Sequence, residues 1–164
     1  AGATMVNDIS AGKLDESMLS TVGDLNVPYV MMHMRGTPQN MQEKTDYKDL
    51  VQEMILYYSE RIKEARKFKI KDVIIDPGFG FSKTLEQNYE LLNKLELLKL
   101  VGTPILVGVS RKSMISKILG TGSKNALNGT TCLNTIALMK GASILRVHDV
   151  KEAQECIALT NQLS

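Results

Sequence analysis

Two stretches of the sequence place reactive side chains where apolar runs end. Asp76 follows the run Val73–Ile75, and Arg146 and His148 follow the last apolar run of the chain. A carboxylate at the end of a strand can accept two parallel N–H donors from a ligand. An arginine and a histidine two residues apart in a strand lie on one side of it and can bind an anion such as phosphate. The two stretches thus offer an acceptor for N–H donors and a site for an anion.

Both stretches also have a purely structural interpretation. An aspartate before a proline is common in turns, so Asp76 alone also fits a turn. A strand that reaches solvent at Arg146 would be followed by a helix. Asp149, with Glu152 three residues later, forms the pattern of a capping box at the start of such a helix. We therefore expect Asp149 to cap a helix, and the rest of the sequence must decide the roles of the other residues.

The motif "GVSRKSMI" adds polar groups after another apolar run. Gly108 would let a ligand approach the backbone closely, and Ser110 or Ser113 could cap the helix that follows. Arg111 and Lys112 at the start of that helix oppose its dipole. One of these two cations is therefore expected to face an anionic or polar partner.

The remaining positions give weaker signals. In "VNDIS", Asn7 and Ile9 lie two residues apart and so face one side of a strand. His33, within the apolar run "VMMHM", is predicted to be a structural histidine rather than a ligand. The two histidines and two cysteines lack the spacing of metal ligands, so no metal centre is expected from them.

The composition excludes several classes of protein. Hydrophobic residues make up 43% and charged residues 23% of the 164-residue chain, as in ordinary globular proteins. The 20 lysines and arginines exceed the 18 acidic residues too little for a nucleic-acid-binding face. No apolar run reaches the roughly 18 residues of a membrane span, and the first residues lack a signal-peptide pattern. We expect one domain over residues 1–164, located in the cytoplasm.

Short apolar runs alternate with longer amphipathic segments. Helical spacing is clearest from Leu50 to Ala65, and further helices are predicted from Leu85 to Leu98 and from Thr131 to Met139. Five runs rich in Val, Ile and Met are typical of buried strands. These predicted strands are Thr4–Val6, Tyr29–Met34, Val73–Ile75, Ile105–Val109 and Ile144–Val147.

This alternation predicts an α/β fold with a parallel sheet covered by helices. An open doubly wound sheet and a (β/α)₈ TIM barrel both fit the pattern. Open sheets concentrate function at one or two switch points, whereas barrels collect it from the C-terminal ends of many strands. Polar groups follow all the predicted strands, which favours the barrel. Because a full barrel has eight strands and about 250 residues, the chain is expected to supply about five C-terminal strand–helix units.

Five motifs, in this order, resemble the dihydropteroate synthase family: "VNDIS", "MHMRGTPQNMQ", "DPGFGF", "VGVSRKSMI" and "RVHDV". The resemblance extends over essentially the whole chain, and the motifs are specific jointly rather than singly. It implies a TIM barrel that joins p-aminobenzoate to 6-hydroxymethyl-7,8-dihydropterin pyrophosphate, releasing pyrophosphate with assistance from Mg²⁺. It also implies a homodimer formed through the later barrel helices.

The resemblance assigns the polar residues to parts of the two substrates. An ionised Asp76 would accept hydrogen bonds from the 2-amino group and N3–H of the pterin. Lys112 and Ser113 would contact p-aminobenzoate, while Arg146 and His148 would hold the pyrophosphate. The implied pterin-binding residues are Asn7, Ile9, Met32, Asp76, Phe81, Gly108 and Lys112.

The same resemblance implies parts that this sequence lacks. The family's first three strands carry two mobile loops, a pterin-binding aspartate and the expected Mg²⁺ ligand, and no counterpart is present. No covalent nucleophile is expected, because the reaction is a substitution at the exocyclic methylene carbon of the pterin. The 164 residues alone are expected to be inactive. Two alternatives are a non-catalytic pterin-binding module and a pterin-dependent methyltransferase, the latter disfavoured by a pyrophosphate site at Arg146 and His148.

Overall fold

Short strands alternate with α-helices along the computed structural model, which describes residues 2–163. This order confirms the α/β fold predicted from the sequence. The strands are Val6–Asp8 (β1), Tyr29–Met32 (β2), Val73–Asp76 (β3), Leu106–Val107 (β4) and Ile144–Leu145 (β5). The α-helices are Met18–Leu25 (α1), Leu50–Lys67 (α2), Leu85–Asn93 (α3), Ser113–Leu119 (α4), Leu127–Met139 (α5) and Val150–Thr160 (α6). Short 3₁₀ helices span Met41–Glu43, Leu95–Val101 and Ser123–Asn125.

The strands pair in parallel, and neighbours in the sheet are also neighbours in the sequence. β1 pairs with β2, β2 with β3, and β4 with β5. A single parallel bridge between Ile75 and Ile105 joins the two sets. All carboxyl ends therefore lie at the same edge of the sheet, where the sequence places its polar residues.

The sheet is strongly curved. A nitrogen of the Arg146 side chain, just after β5, donates to Oδ1 of Asn7 in β1 over 3.1 Å. In a flat sheet with strands about 4.8 Å apart, four strand intervals would separate β1 from β5 by about 19 Å. Two side chains cannot span that gap, so curvature must bring the outer strands toward each other at the carboxyl edge.

Apolar packing on both faces of the strands explains why they are so hydrophobic. All four residues of β2 and of β3 are buried, as expected for parallel strands with both faces covered. On one face, Val30, Ile74 and Leu106 form a row across three adjacent strands, with Ile144 packed against it. On the other face, helices cover the sheet, and α2 contributes Met54 and Tyr58 to the largest core cluster.

The structure corrects several predicted boundaries. The first strand lies at Val6–Asp8 rather than Thr4–Val6, and α1 was not predicted. The segment predicted as one helix from Leu85 to Leu98 is an α-helix to Asn93 and then a 3₁₀ helix. These differences follow from short elements whose ends are set by tertiary contacts rather than by apolar periodicity.

The predicted helix caps are also corrected. Asp149 occupies the N-cap position of α6, but its side chain accepts no hydrogen bond from the helix. Its two carboxylate oxygens instead accept from Nε and Nη2 of Arg111, at 2.9 and 2.7 Å. The N-cap of α4 is Lys112 rather than Ser110 or Ser113, and no side chain caps that helix. A bidentate ion pair has therefore replaced the predicted capping box.

Across residues 2–163, no helix is both long enough and apolar enough to cross a membrane.

Candidate functional site

Asp76 lies at the centre of the polar edge, at the end of β3, with 1% of its surface exposed. Its Oδ1 accepts a hydrogen bond from the backbone N–H of Gly78 over 2.8 Å. Its Oδ2 is 2.7 Å from Nη2 of Arg146, but the pair lacks hydrogen-bond geometry and Oδ2 has no donor. A buried carboxylate oxygen without a donor is destabilising. The unsatisfied Oδ2 therefore favours a ligand that brings an N–H group.

A cleft of about 170 Å³ opens beside Asp76 at the ends of β4 and β5. Three of its lining side chains carry nitrogens that can hold an anion: Lys112, Arg146 and His148. The complete lining consists of Gly108, Ser110, Lys112, Arg146, Val147 and His148. The cleft thus has a basic wall, and Arg146 links that wall to Asp76 outside the lining. A ligand with negative charge in the cleft and N–H donors toward Asp76 would suit this arrangement.

Lys112 reaches into this region from the residue preceding α4. Its Nζ donates to the backbone carbonyl of Phe79 and lies 5.1 Å from the centre of the Phe81 ring. Burial lowers the pKa of Lys112 to about 8, although Asp76 acts in the opposite direction and Arg146 lowers it further. The ammonium therefore persists at neutral pH, but it loses its proton far more readily than an exposed lysine.

Arg146 connects the outer strands. It reaches Asn7 in β1 as well as Asp76 in β3. Its guanidinium lies over Gly108, where an added Cβ would stand 2.8 Å from Nη2. The sequence predicted that Gly108 admits a ligand, whereas in the structure the space beside it holds the Arg146 side chain. A larger residue at this position would displace the end of the Arg146 side chain.

His148 is exposed, but its orientation is set by one buried serine. Nδ1 of the ring lies 2.8 Å from Oγ of Ser110, and the backbone N–H of His148 donates to the same Oγ over 3.2 Å. Ser110 is 5% exposed. The sequence suggested Ser110 only as a helix cap, and its actual partner lies 38 residues away. Local sequence signals do not reveal such a contact.

The loop that follows Asp76, residues 77–82, is held rigidly. Gly78 has φ +66°, and a Cβ there would stand 2.3 Å from the carbonyl oxygen of His33, so no other residue fits without a shift. Ser82 has φ +47°, a strained conformation for a non-glycine residue. It is held by its Oγ, which accepts from the backbone N–H of Arg35 over 3.0 Å. Strain of this kind persists only when the surrounding structure enforces it.

The other predicted site residues are distributed around this loop. Met32 is buried at the end of β2 beside Gly78, and Phe81 is half-buried beneath Lys112. Ile9 is half-buried just beyond β1, and Ser113 is exposed as the first residue of α4. Ser113 does not line the cleft.

The two neighbouring cations before α4 have different partners, and of the two only Lys112 was assigned to the site by the resemblance. Arg111 and Lys112 both oppose the dipole of α4, yet only Lys112 faces the site. Arg111, at φ +55°, turns away to Asp149 and donates to the carbonyls of Ser123 and Lys124. Lys83 was not considered, although its ammonium lies beneath the 77–82 loop. Nothing in its local sequence distinguishes it from an exposed lysine.

His33 is buried, as predicted for a structural histidine. Within residues 2–163 no group of three or more His, Cys, Asp or Glu side chains could hold a metal ion.

Comparisons with known proteins agree with this geometry. A family model described as "Pterin binding enzyme" matches residues 1–148. A dihydropteroate synthase of Synechocystis sp. is 46% identical over 162 residues, covering 95% of this chain and 55% of that protein. The resemblance inferred from the five motifs is thereby confirmed.

Solved structures give the same result. The chain matches Yersinia pestis dihydropteroate synthase with a sulfonamide drug complex at TM-score 0.95 and 36% identity, covering 99% of this chain and 59% of that one. It matches Thermus thermophilus dihydropteroate synthase in complex with 4-aminobenzoate at TM-score 0.93 and 34% identity, covering 99% and 66% respectively. The chain thus spans little more than half the length of the curated relatives it matches.

Proposed function

The chain belongs to the pterin binding enzyme family, and from that premise we propose that it forms the C-terminal part of a dihydropteroate synthase. The whole enzyme condenses 6-hydroxymethyl-7,8-dihydropterin pyrophosphate with p-aminobenzoate to give 7,8-dihydropteroate and pyrophosphate. In this proposal the five strand–helix units are part of a (β/α)₈ barrel whose first three units precede them. The parallel strand order and the contact between Arg146 and Asn7 support such an arc.

The observation that carries this proposal is the unsatisfied Oδ2 of Asp76 next to a cleft with a basic wall. A pterin offers its 2-amino group and N3–H as parallel donors, which a carboxylate accepts with both oxygens. Lys112 can donate to the ring carbonyl, and Asn7 can bind another edge of the ring. In this proposal the pyrophosphate, attached through the methylene carbon, would lie in the same cleft near Arg146 and His148.

Apolar and rim residues complete the proposed substrate sites. Met32, Ile9 and Phe81 would flank the flat pterin ring, and Gly108 would admit the ring once the Arg146 side chain has left the space beside it. Lys112 and Ser113 would contact p-aminobenzoate. The exposure of Ser113 at the start of α4 supports a position at the rim, where the second substrate enters.

The chemistry requires positioning and charge stabilisation. The amine nitrogen of p-aminobenzoate forms a bond to the exocyclic methylene carbon, while the C–O bond to pyrophosphate breaks and its electron pair leaves with the phosphate oxygen. The amine proton passes to solvent. Arg146 and His148 would stabilise the departing negative charge, and Asp76 would hold the ring so that the methylene carbon faces the amine.

Three further expectations belong to this proposal. Mg²⁺ finds no cluster of three acidic, histidine or cysteine side chains among residues 2–163, so its ligands would come from the preceding units. The protein would be cytoplasmic. It would also be a homodimer, which is supported by exposed apolar residues on α5 and α6, among them Met139 and Leu159.

Two measurements on the whole gene product test the proposed function. Calorimetric titration with 6-hydroxymethylpterin pyrophosphate and Mg²⁺ should give saturable binding, and addition of p-aminobenzoate should then release pyrophosphate. Binding without release would instead identify a non-catalytic pterin-binding module. Absence of saturable binding would overturn the proposal. The same titration on residues 1–164 alone shows whether these units form the pterin site without the rest of the barrel.

A further inference from the structure

Lys83 is a buried lysine next to the proposed site that the reaction does not use directly. It is 4% exposed, and its Nζ lies beneath the 77–82 loop. Nζ donates to the carbonyl oxygens of Gly78 and Phe81 over 3.2 and 3.0 Å, and it lies 3.1 Å from Nδ1 of His33. Among the ion pairs of residues 2–163, none includes Lys83. Burying an ammonium without a carboxylate partner is costly, so its retention requires an explanation.

The three neighbours of Nζ match the three protons of an ammonium group. An ammonium donates three hydrogen bonds and accepts none. Two of the neighbours are carbonyl oxygens, and the third, Nδ1 of His33, accepts when the ring is neutral and carries its proton on Nε2. Burial lowers the pKa of His33 well below its usual value, and the charges of Lys83, Arg35 and Lys13 lower it further. His33 is therefore neutral, and every proton of a charged Lys83 has an acceptor.

The loop that Lys83 holds from below also carries the partners of Lys112. Between Gly78 and Phe81 lies Phe79, whose carbonyl accepts from Nζ of Lys112. The Phe81 ring lies 5.1 Å from the same Nζ. Two ammonium groups therefore contact the loop from opposite sides. Lys83 contacts it on the buried side and Lys112 on the side of the cleft.

We propose that Lys83 is a positioning residue whose ammonium links His33 to the 77–82 loop and thereby holds Lys112 and Phe81 in place for the pterin. This role rests on the proposed function, because it concerns the same substrate site. A neutral amine at Lys83 donates only two hydrogen bonds. With His33 protonated on Nε2, the two carbonyls and Nδ1 can then no longer all accept from Lys83. Deprotonation then loosens the loop and misplaces the cleft-facing Lys112.

The charged groups around Lys83 set the pH range of this effect. Burial lowers the pKa of Lys83 to about 7; Asp76 raises it, whereas Lys112 and Arg35 lower it. His33 remains neutral across this range. The ordering effect is therefore present below about pH 7 and declines as the pH rises past that value. The free energy of unfolding does not decrease over the same pH range. A lysine whose pKa is lowered by folding stabilises the folded state as the pH rises, because the unfolded state then binds more protons.

The first test measures amide hydrogen exchange of the ligand-free wild-type protein, corrected for the intrinsic pH dependence of exchange. The amides of Gly78, Gly80 and Phe81 donate to Asp76, Asn88 and Gly78 respectively, and so they report on the loop. Their protection is expected to decline as the pH rises from 6 to 8, while core amides of β2 and β3 stay protected. Constant loop protection over this range would overturn the proposal. This measurement needs neither substrate nor variant, so it remains decisive even if the enzymatic proposal fails.

The second test compares Lys83→Met with Lys71→Met, an exposed lysine of the same type before β3. In the whole enzyme, Lys83→Met is expected to lower kcat/KM for the pterin substrate about tenfold at pH 6.5. It should also remove the decline of kcat/KM near pH 7 while leaving the decline caused by Lys112 near pH 8. Equal activity and equal pH profiles in the two variants would contradict the role of Lys83. Inactivity of the wild type would count against the proposed function instead.

Discussion

Two aspartates end strands at the same edge of the sheet, and their surroundings differ sharply. Asp8, at the end of β1, is 7% exposed. Its carboxylate accepts four hydrogen bonds, from the backbone N–H and hydroxyl of Ser10, the N–H of Gly12 and the hydroxyl of Tyr29. The protein itself supplies every donor that this carboxylate needs.

Asp76 is buried more deeply and has fewer partners. Its carboxylate accepts one hydrogen bond, from Gly78, and faces the guanidinium of Arg146 without a hydrogen bond. The two aspartates share burial and a position at a strand end, so neither property explains why only Asp76 is proposed to bind a ligand. The distinguishing quantity is the number of donors that the protein itself provides, which is complete for Asp8 and incomplete for Asp76.

Asp76→Ala is expected to have the largest effect on pterin affinity. It removes two charge-assisted hydrogen bonds of about 1.5–3 kcal/mol each, so Kd should rise on the order of 10²–10⁴-fold. Calorimetry on the whole gene product measures this. An unchanged Kd for the pterin would mean that Asp76, like Asp8, does not bind the ligand.

Lys112→Ala should have the next largest effect, weakening both substrates by about 10- to 100-fold at pH 7. In the wild type, affinity should decline as the pH rises above about 8, since burial lowers the pKa of Lys112 to about 8 and its ammonium is the donor. The variant should lack this decline. Titrations at pH 6.5, 8 and 9 check both statements. Normal substrate affinities and activity after the substitution would mean that Lys112 only begins a helix and does not bind substrate.

His148→Ala should have a smaller and more selective effect. Because His148 is proposed to bind the pyrophosphate, the pterin pyrophosphate should lose about tenfold more affinity than a pterin without phosphate. Parallel calorimetric titrations with the two ligands measure the difference. Equal losses would count against an anion site at this end.

Asp8→Ala should have the smallest effect on affinity and a clear effect on stability. The substitution leaves several buried donors without an acceptor and should lower the free energy of unfolding by about 3 kcal/mol. The Kd for the pterin should change less than about threefold. Urea unfolding and calorimetry test the two parts. A large loss of pterin affinity at retained stability would place Asp8 in the binding site.

The stability contributed by Asp8 also depends on pH. Burial acts to raise the pKa of Asp8, but hydrogen bonds from Tyr29, Ser10 and Gly12 outweigh it, so the pKa lies below 3.8. A lowered carboxyl pKa stabilises the fold above its unfolded value and loses that contribution as the pH falls through the folded value. Between pH 5 and pH 2, the free energy of unfolding should therefore depend less steeply on pH in Asp8→Ala than in the wild type.

The sequence predicted the elements better than their contacts. Apolar runs and helical spacing located the strands and the long helix α2, because burial on both faces requires continuous hydrophobicity. The same reasoning missed α1, and it made Asp149 a helix cap, since a capping box is a local pattern. The bidentate pair with Arg111 joins residues 38 apart, and no local pattern encodes that distance.

The proposed site shows the same division. Asp76, Lys112 and Arg146 were chosen because they follow apolar runs, and the structure places them together. Lys83 was overlooked because a lysine is ordinarily exposed. Its burial depends on the path of the 77–82 loop, which is set by Gly78 against His33 and by the strained Ser82. Only the folded arrangement of these residues reveals it.

The ion pair between Arg146 and Asp76 competes with any ligand that binds the Asp76 carboxylate. In the proposed function a pterin would displace the guanidinium from the carboxylate. Its apparent affinity would then be the intrinsic affinity multiplied by the fraction of molecules in which the ion pair is open. A ligand that carries pyrophosphate offers the displaced arginine a new partner, whereas a bare pterin does not. After pyrophosphate departs, Arg146 would pair again with Asp76 and Asn7, its side-chain partners within residues 2–163. The same ion pair would thus favour entry of the activated substrate and hasten exit of the product.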